Sequence, residues 1–442
     1  CLPVFGASSG DTDFDLNLGF QYDALENVSV VGVSVMPDIS VGKFGIGLNG
    51  TLRFDLSDGF RFMSEDWVPE FDSGAGFVAN AKTAASLYLP VFRYIRWGWK
   101  GDPLYIRLGE LDSVTVGTGI FINGYTNTAM LPTTRLRGAE FDLDGDLFGF
   151  PYVGFESFTS DMAQLDIIAG RLYARPMAFL NIPVIKDIQF GGTFAVDRQP
   201  DSYLVEESDF VTDDMVTMYG ADIMMPLLDM SVFSMTMFGD FAFQGTPNTE
   251  AVKALRAGTR GRMLGFFDYI IDATFPLDAG FVPNYFSKTY DLNRETQYNK
   301  ILNGTGLEAE QIFLHAGTGF SFMDENLIFD ISITGVLEKD STIADPSMTA
   351  HFKLGEDLLP FFYFDAYYTK NVPDGQSMEF FLENVLNPTK DAQVVADVTV
   401  TYKVVKTTVG VVLDFDENGD MTQSIKVAGN LDLGSMLPFL GN

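Results

Sequence analysis

Apolar and polar residues alternate with a period of two along most of the chain. Phe329, Ile331 and Ile333 alternate with Asp330, Ser332 and Thr334, the pattern of a strand with one apolar and one polar face. Residues 312–322 precede this segment across a short polar turn, Asp324-Glu325-Asn326. Further on, Val394, Ala396, Val398, Val400 and Tyr402 alternate with Val395, Asp397, Thr399, Thr401 and Lys403. Val409, Val411, Leu413 and Phe415 follow a tight turn, and Asn418-Gly419 then marks a hairpin, because both positions tolerate positive φ. Met421, Gln423, Ile425 and Val427 complete an up-and-down meander. Near the start, Phe14, Leu16, Leu18, Phe20 and Tyr22 alternate with Asp15, Asn17, Gly19 and Gln21, and residues 28–36 and 39–54 predict a hairpin across Pro37-Asp38. Residues 87–99, 104–111, 150–158, 165–173, 188–196, 216–225, 232–243, 263–275, 347–354 and 359–368 add further strands. The expected total is about 14–18, an even number being favoured in bacterial barrels.

Three segments carry a helical pattern instead. Asn248 is placed to cap residues 249–255, and Asp291 to cap a helix ending at Gly304. Ser377 opens the third, where Met378, Phe381, Leu382 and Val385 share one face. Such helices either lie in long outer loops or fold inward as a partial plug, and the pattern allows both.

Composition decides what the strands build. The mean hydropathy is +0.11 although the net charge is −32, so apolar surface must be covered by something other than water. No run reaches the roughly 18–20 apolar residues of a spanning helix, and a closed barrel is the other fold that satisfies every backbone group in lipid. Gly 43, Phe 41 and Tyr 17 suit that fold. The expected class is therefore all-β: a single transmembrane antiparallel β-barrel over residues 13–433, with long outer loops carrying short helices. Tyr94, Trp97 and Trp99, and the run Phe361-Phe362-Tyr363-Phe364 with Tyr367-Tyr368, sit where headgroup-level aromatics belong; a buried aromatic core is the plainer alternative. Residues 1–12 are expected to be an export-signal remnant or an N-terminal tail, and residues 434–442 a C-terminal tail. Cys1 fits either a lipidated first residue or the tail of a signal peptide, the latter being preferred; both imply export.

The stretch Gly101-Asp102-Pro103-Leu104-Tyr105-Ile106-Arg107-Leu108-Gly109-Glu110-Leu111, continuing through Val114-Thr115-Val116-Gly117-Thr118-Gly119, resembles outer-membrane barrel proteins of spirochaetes. So does Phe281-Val282-Pro283-Asn284-Tyr285-Phe286 followed by Tyr290-Asp291-Leu292-Asn293-Arg294. These motifs cover about a tenth of the chain. The resemblance implies fold and compartment, the cell outer membrane, and brings no catalytic residue or substrate. Leu437-Pro438-Phe439-Leu440 before Gly441-Asn442 departs from the usual final strand that ends in an aromatic residue.

Chemistry is sparse. With His at 315 and 351 only and a single Cys, a His/Cys zinc site is nearly excluded and a nucleophilic triad has little to draw on. Ser321 lies near His315 without a strained elbow. Asp414-Phe415-Asp416-Glu417-Asn418-Gly419-Asp420 resembles the opening of a calcium loop, but Ile425 stands where the bidentate Glu belongs; a hairpin turn explains it as well. Asp142-Leu143-Asp144-Gly145-Asp146 is similarly short. No metal, no cofactor and no enzymatic activity are expected.

The cations say more. Lys253, Arg256, Arg260 and Arg262 form a basic cluster expected on a loop, and Arg93, Arg96, Arg107, Arg135, Arg137, Arg171 and Arg175 are spread over the first half. Arg107 shares its face with Tyr105 and Gly109, and Arg96 with Tyr94 and Gly98. Both should point inward, since a guanidinium facing lipid near the midplane costs about 2–4 kcal/mol. Arg96, Arg107, Arg135, Arg137, Arg171, Asp330, His351, Asp397 and Lys403 are the pore-lining candidates. Resemblance to general porins implies a basic wall facing acidic loop residues; an internal salt-bridge network bracing the barrel is the competing expectation, and the slightly favoured one. Acidic excess suits a cation-preferring path, although Glu206-Glu207-Ser208-Asp209 and Asp213-Asp214 place part of it on loops. It disfavours nucleic acid.

The leading expectation is a porin-like channel for passive diffusion of small solutes, with outer-membrane lipid and solutes as partners and a homo-oligomer, a trimer as in many porins, left open. A channel for hydrophobic compounds, similar to the long-chain fatty-acid transporters, draws on the Phe and Met content (18 Met). A barrel displaying adhesin loops draws on residues 55–84, 112–134, 197–215 and 276–310.

Overall fold

Wherever the period-two pattern is cleanest, the chain is extended and paired. The computed structural model describes residues 12–25, 28–55, 61–64, 67–69, 71, 74, 76–111, 113–128, 136–180, 182–202, 212, 214–322, 327–340, 342–355, 358–359, 361–371, 378–379, 381, 392–402, 405–415 and 421–432. Its strands are β1 (Thr12–Leu25), β2 (Val28–Val41), β3 (Phe44–Leu48), β4 (Gly50–Asp55), β5 (Arg61–Phe62), β6 (Phe92–Trp97), β7 (Leu104–Gly109) and β8 (Gly138–Asp144). They continue as β9 (Val153–Thr159), β10 (Ile167–Ala174), β11 (Gln189–Asp197), β12 (Val216–Asp229), β13 (Phe233–Gly245), β14 (Val252–Met263) and β15 (Phe267–Pro276). The remainder are β16 (Ile312–Phe322), β17 (Leu327–Leu337), β18 (Ile343–Leu354), β19 (Phe362–Asn371), β20 (Ala392–Tyr402), β21 (Val405–Phe415) and β22 (Met421–Asp432). The helices are α1 (Phe77–Tyr88) and α2 (Arg294–Leu302). The fold class is all-β and antiparallel, as the alternation predicts. No described helix is long and apolar enough to cross a membrane.

The chain forms two compact units. In the unit containing residues 71–261 and 272–313, β6 to β13 pair with their sequence neighbours, each antiparallel. One face of this sheet is covered by two segments that the sequence pattern leaves as outer loops. Leu111, Val114, Phe121, Ile122 and Tyr125 from the first, and Phe281, Tyr285, Phe286, Tyr290 and Ile301 from the second, form one buried cluster with Ala169, Ala195, Met218 and Ala242 of the strands. Edge-to-face rings fix the packing: Tyr285 and Phe286 lie 5.0 Å apart, Tyr125 and Phe158 5.1 Å. Small strand residues leave room for the large loop side chains, so the described residues 113–128 and 281–307 of the expected loops contribute the core of this unit.

In the unit containing the described parts of 12–70, 262–271 and 314–432, β1 pairs with β2 over its whole length and with β22 from Asn17↔Asp432 to Tyr22↔Val427. β17 to β22 form a meander. A smaller cluster joins Met348 and Phe381 to Ile331, Ile333, Tyr368 and Met378.

Several expectations need correction. Among the described residues there are 22 strand elements against the expected total of about 14–18. Part of the difference is fragmentation, since β3 and β4 share β2 as partner and β5 has two residues. The hairpin turn lies at Gly42-Lys43, not Pro37-Asp38: Pro37 pairs with Leu16 inside the sheet, while Gly42 takes the left-handed conformation a tight turn needs, with φ +55°. Residues 249–255 are not a helix. They enter β14, where Ala254 and Arg256 are buried on one face and Leu255 is exposed on the other. Period two wins there because the polar side chains find carboxylates on the covered face. The strand expected from residue 87 starts only at Phe92, because α1 occupies 77–88 and Pro90 follows it. α2 begins after Asn293 rather than Asp291, because the Asp291 carboxylate is taken by Arg294. Of the third helix, Met378, Glu379 and Phe381 are helical, and the rest lies outside the described residues.

Gly109 closes β7 with φ +115°, and a Cβ there would lie 2.3 Å from the Arg93 carbonyl oxygen and 2.8 Å from Tyr94 Cα. Gly109→Ala is therefore expected to destabilise the protein by about 1–3 kcal/mol, measured as a lower urea midpoint of the detergent-folded protein; an unchanged midpoint would show that β6 yields freely.

Candidate functional site

The polar positions of the strand pattern converge on the covered face of the first unit. In β10, Ala169, Arg171 and Tyr173 are buried and Leu172 is 64% exposed. In β12 and β13, Met218, Asp222, Asp240 and Ala242 are buried while Tyr219, Ile223 and Phe241 are exposed. Phe190, Phe194 and Leu255 extend the apolar outer face. Charges are covered and large apolar side chains such as Leu172, Phe190 and Phe241 are outside, the inverse of a sheet with a water-facing outer surface.

Each buried guanidinium on this face meets a defined partner. Arg171 donates from Nε and Nη2 to both oxygens of Asp222, at 2.9 and 2.6 Å, and from Nη1 to Glu156 at 3.0 Å. Arg256 grips Asp272 with Nε and Nη2 at 2.9 and 3.0 Å. These two-pronged contacts are the strong geometry for guanidinium and carboxylate. Arg137 donates to Glu110 at 3.1 Å, and Lys100 reaches Glu140 and Asp142.

The same groups hold the inward segment. Gly117 N–H donates to Glu156 at 2.7 Å, the Thr118 hydroxyl donates to Asp240 at 2.5 Å, and the Thr118 carbonyl accepts from Arg256 at 3.1 Å. Gly117 has φ +62°, and a Cβ there would stand 2.6 Å from Arg171 Cδ, so only glycine lets this backbone lie on the arginine. Arg260 differs from its neighbours. It donates to the Gly117 carbonyl at 3.4 Å and approaches the Met224 sulfur at 3.3 Å, with no carboxylate in ion-pair reach among the described residues.

The second inward segment is fastened chiefly around one residue. Arg294, at the start of α2, is fully buried and meets Asp166 and Asp291 at 2.6 Å and Asp197 at 3.7 Å. Tyr125 donates to the other oxygen of Asp291 at 2.7 Å, and Tyr290 donates to Asp197. Burial pulls the Arg294 guanidinium toward losing its proton, but Asp291, Asp197 and Asp166 outweigh it and hold the group well above its ordinary range. It stays charged.

The sequence-predicted residues fall into several environments. Arg137 and Arg171 belong to the charged face. Arg96 is buried with its guanidinium 3.3 Å from the centre of the Trp99 ring, and Arg107 donates to the Glu110 carbonyl at 2.8 Å. Lys253, Arg256, Arg260 and Arg262 are not a loop cluster: all four lie on β14, with Lys253 beside Asp278 on the face opposite Arg256. In the second unit His351 bridges Asp330 at 3.1 Å and Asp365 at 2.7 Å and stacks on Tyr367, ring centres 4.1 Å apart. Asp397 is exposed and pairs across the sheet with Asp365. Arg135 and Lys403 lie outside the described residues.

Sequence reasoning missed Glu156, Asp166, Asp197, Asp222, Asp240, Asp272 and Arg294 as a set. The usable signal was acidic residues in phase with arginines on neighbouring strands. Among the described residues no group of three or more His, Cys, Asp or Glu is arranged to hold a metal. Asp142 and Asp144 of the short acidic run meet Lys100 and Arg175 instead. For the second acidic run, residues 416–420 lie outside the described part.

No family model and no curated protein matches the chain. Among solved structures, Pseudomonas aeruginosa OpdK with vanillate is 10% identical, with a TM-score of 0.34, covering 96% of this chain and 98% of that one. Wzi, an Escherichia coli outer-membrane protein described as a carbohydrate-binding β-barrel involved in group 1 capsule assembly, is 9% identical with a TM-score of 0.31, covering 96% and 84%. CdiB from Acinetobacter baumannii is 7% identical with a TM-score of 0.28; 95% of this chain matches, spanning 60% of that protein. Scores this low carry nothing over to this chain.

Arg294→Met would leave three carboxylates buried without their shared cation. It is expected to cost about 3–5 kcal/mol, read as a lower melting midpoint by circular dichroism, and to cost more than Asp291→Asn. Equal effects would mean that Arg294 is not the centre of the cluster.

Proposed function

We propose that residues 13–433 form a transmembrane β-barrel of an outer membrane that works as a porin-like channel for passive diffusion of small solutes, without catalysis. The observation that carries this is the inverted polarity of the first unit. Leu172, Phe190, Phe194, Tyr219, Ile223, Phe241 and Leu255 face outward, while Arg171, Asp222, Asp240, Arg256 and Asp272 face the covered side. In water such an outer face would be a liability; against hydrocarbon it is required. The antiparallel meander with β1 paired to β22 supports the same assignment, since it leaves those two strands without a free edge at their junction. Export through a signal peptide and assembly as a trimer accompany the proposal as untried expectations.

Most arginines of the charged face are neutralised by carboxylates, which supports the bracing role for Arg137, Arg171 and Arg256. The remaining field comes from Arg260, which meets no carboxylate among the described residues, and in the second unit from the exposed Asp330 and Asp397. With a net charge of −32, the path is proposed to prefer cations, while Arg260 works locally against that preference. Of the Phe and Met residues that motivate a route for hydrophobic compounds, Phe121, Phe158, Phe281, Phe286 and Met218 pack in the core cluster while Phe190, Phe194 and Phe241 are exposed on the outer face, which favours the polar channel. The adhesin alternative loses support from residues 113–128 and 281–307, which are folded onto the sheet rather than displayed.

Purified protein folded into planar bilayers is expected to give stepwise conductance with a reversal potential on the cation side in a salt gradient. Absence of any conductance would sink the channel. Arg260→Gln should raise the cation-to-anion permeability ratio, through an effect of up to roughly fivefold on each ion if it passes within about 4 Å of the guanidinium, where a unit charge in water is worth about 1 kcal/mol. An unchanged ratio would remove Arg260 from the path.

A further inference from the structure

Strands β8, β9 and β10 have 7, 7 and 8 residues, short of the roughly 9–11 that a tilted strand needs to cross hydrocarbon. The connections at one end of these strands have an unusual composition. Residues 145–152 join β8 to β9, and residues 175–188 join β10 to β11; register places both at the same end, with Asp144 opposite Gly154 and Ala174 opposite both Val153 and Phe190. Phe148 is 72% exposed, Phe179 is 65% exposed, and Phe150, Leu180 and Ile182 are exposed beside them. Turns that end in water are normally built from Gly, Asn, Asp, Ser and Pro. The connection between β13 and β14, at the opposite end of the sheet, follows that rule with Thr246-Pro247-Asn248-Thr249-Glu250.

A neighbouring hairpin shows how far the apolar surface continues. Gln189 at the start of β11 pairs with Met224, so residues 225–229 of β12 run past it, paired to β13. This extension reads Met225-Pro226-Leu227-Leu228-Asp229 and turns at Met230-Ser231-Val232, with Leu228, Met230 and Val232 exposed. The long hairpin thus carries apolar surface beyond the short strands, and the apolar turns occupy that zone beside it. Charges are confined to few positions there: Arg175 is bound to Asp144, Lys186 and Asp187 are 3.6 Å apart and half exposed, and Asp146 and Asp229 are exposed.

We propose that the turns 145–152 and 175–180 with 182–188 are immersed in one leaflet of the bilayer, their Phe, Leu and Ile side chains among the acyl chains and Asp146, Lys186 and Asp187 at headgroup level, so that they complete the membrane span of strands too short to cross alone. The occupant of this surface is lipid. The inference rests on the membrane assignment above, and it makes the turns part of the lipid-facing wall rather than water-exposed linkers.

Nitroxide labels at Phe148→Cys and Phe179→Cys, in a Cys1→Ser background and in phospholipid vesicles, test this by collision with oxygen, which concentrates in acyl chains, and with a water-soluble nickel chelate. Leu172→Cys on the outer strand face and Glu250→Cys on the polar turn provide the two references. The expected result is oxygen-rich, nickel-poor behaviour at 148 and 179, matching 172 and opposite to 250. Nickel accessibility at 148 and 179 with an oxygen-rich 172 would overturn the inference and leave the membrane assignment standing. Low accessibility to both reagents would also overturn it, by showing protein against these turns, a second copy included. A nickel-accessible 172 would take the membrane assignment down as well.

Discussion

The pairing of guanidinium with carboxylate on the covered side of the sheet is the constraint from which the rest follows. A charge removed from water without a partner costs several kcal/mol, so Arg137, Arg171 and Arg256 each call for an acid within reach. That requirement links strands in a specific register: Arg171 of β10 joins β9 through Glu156 and β12 through Asp222. It also draws in the segments that cover them, because spare lone pairs and protons must be used. Glu156, Asp240 and Arg256 each direct one such bond at Gly117 or Thr118. Charge pairing and loop placement are therefore one solution rather than two.

The apolar core of the first unit depends on that fastening. Phe121 and Tyr125 lie in the cluster with the strand alanines next to residues 117–118, and Tyr285 and Tyr290 next to Arg294, which meets Asp166 and Asp197. Hydrophobic contact is non-directional and by itself selects no particular seat for these rings. The bonds at Gly117, Thr118 and Arg294 do.

Alternation at 329–334, 394–402 and 421–427 was enough to read β17, β20 and β22, because strands with one apolar and one polar face imprint their period directly. β8 was overlooked although Ala139, Phe141 and Leu143 alternate with acids, since so acidic a run resembles a loop until Lys100 is seen beside it. β14 was mistaken for a helix entry because Asn248 is a good cap and the strand's arginines have no local reason to be buried. Within 281–307 the helix at Arg294–Leu302 was legible, but the seats of residues 113–128 and 281–307 on the sheet were not. Their burial depends on partners up to 166 positions away, as with Tyr125 and Asp291, and no local pattern encodes such a separation. Individual charges in the site were visible; their pairing was not.

The contact between β1 and β22 brings together residues such as Tyr22 and Val427. Contacts between points so remote in sequence form late, because the intervening chain must be organised before its ends can meet. Until β22 arrives, β1 offers an unpaired edge open to any passing strand. During biogenesis that edge must be shielded, and the moment when the last strand docks sets the end of the vulnerable period.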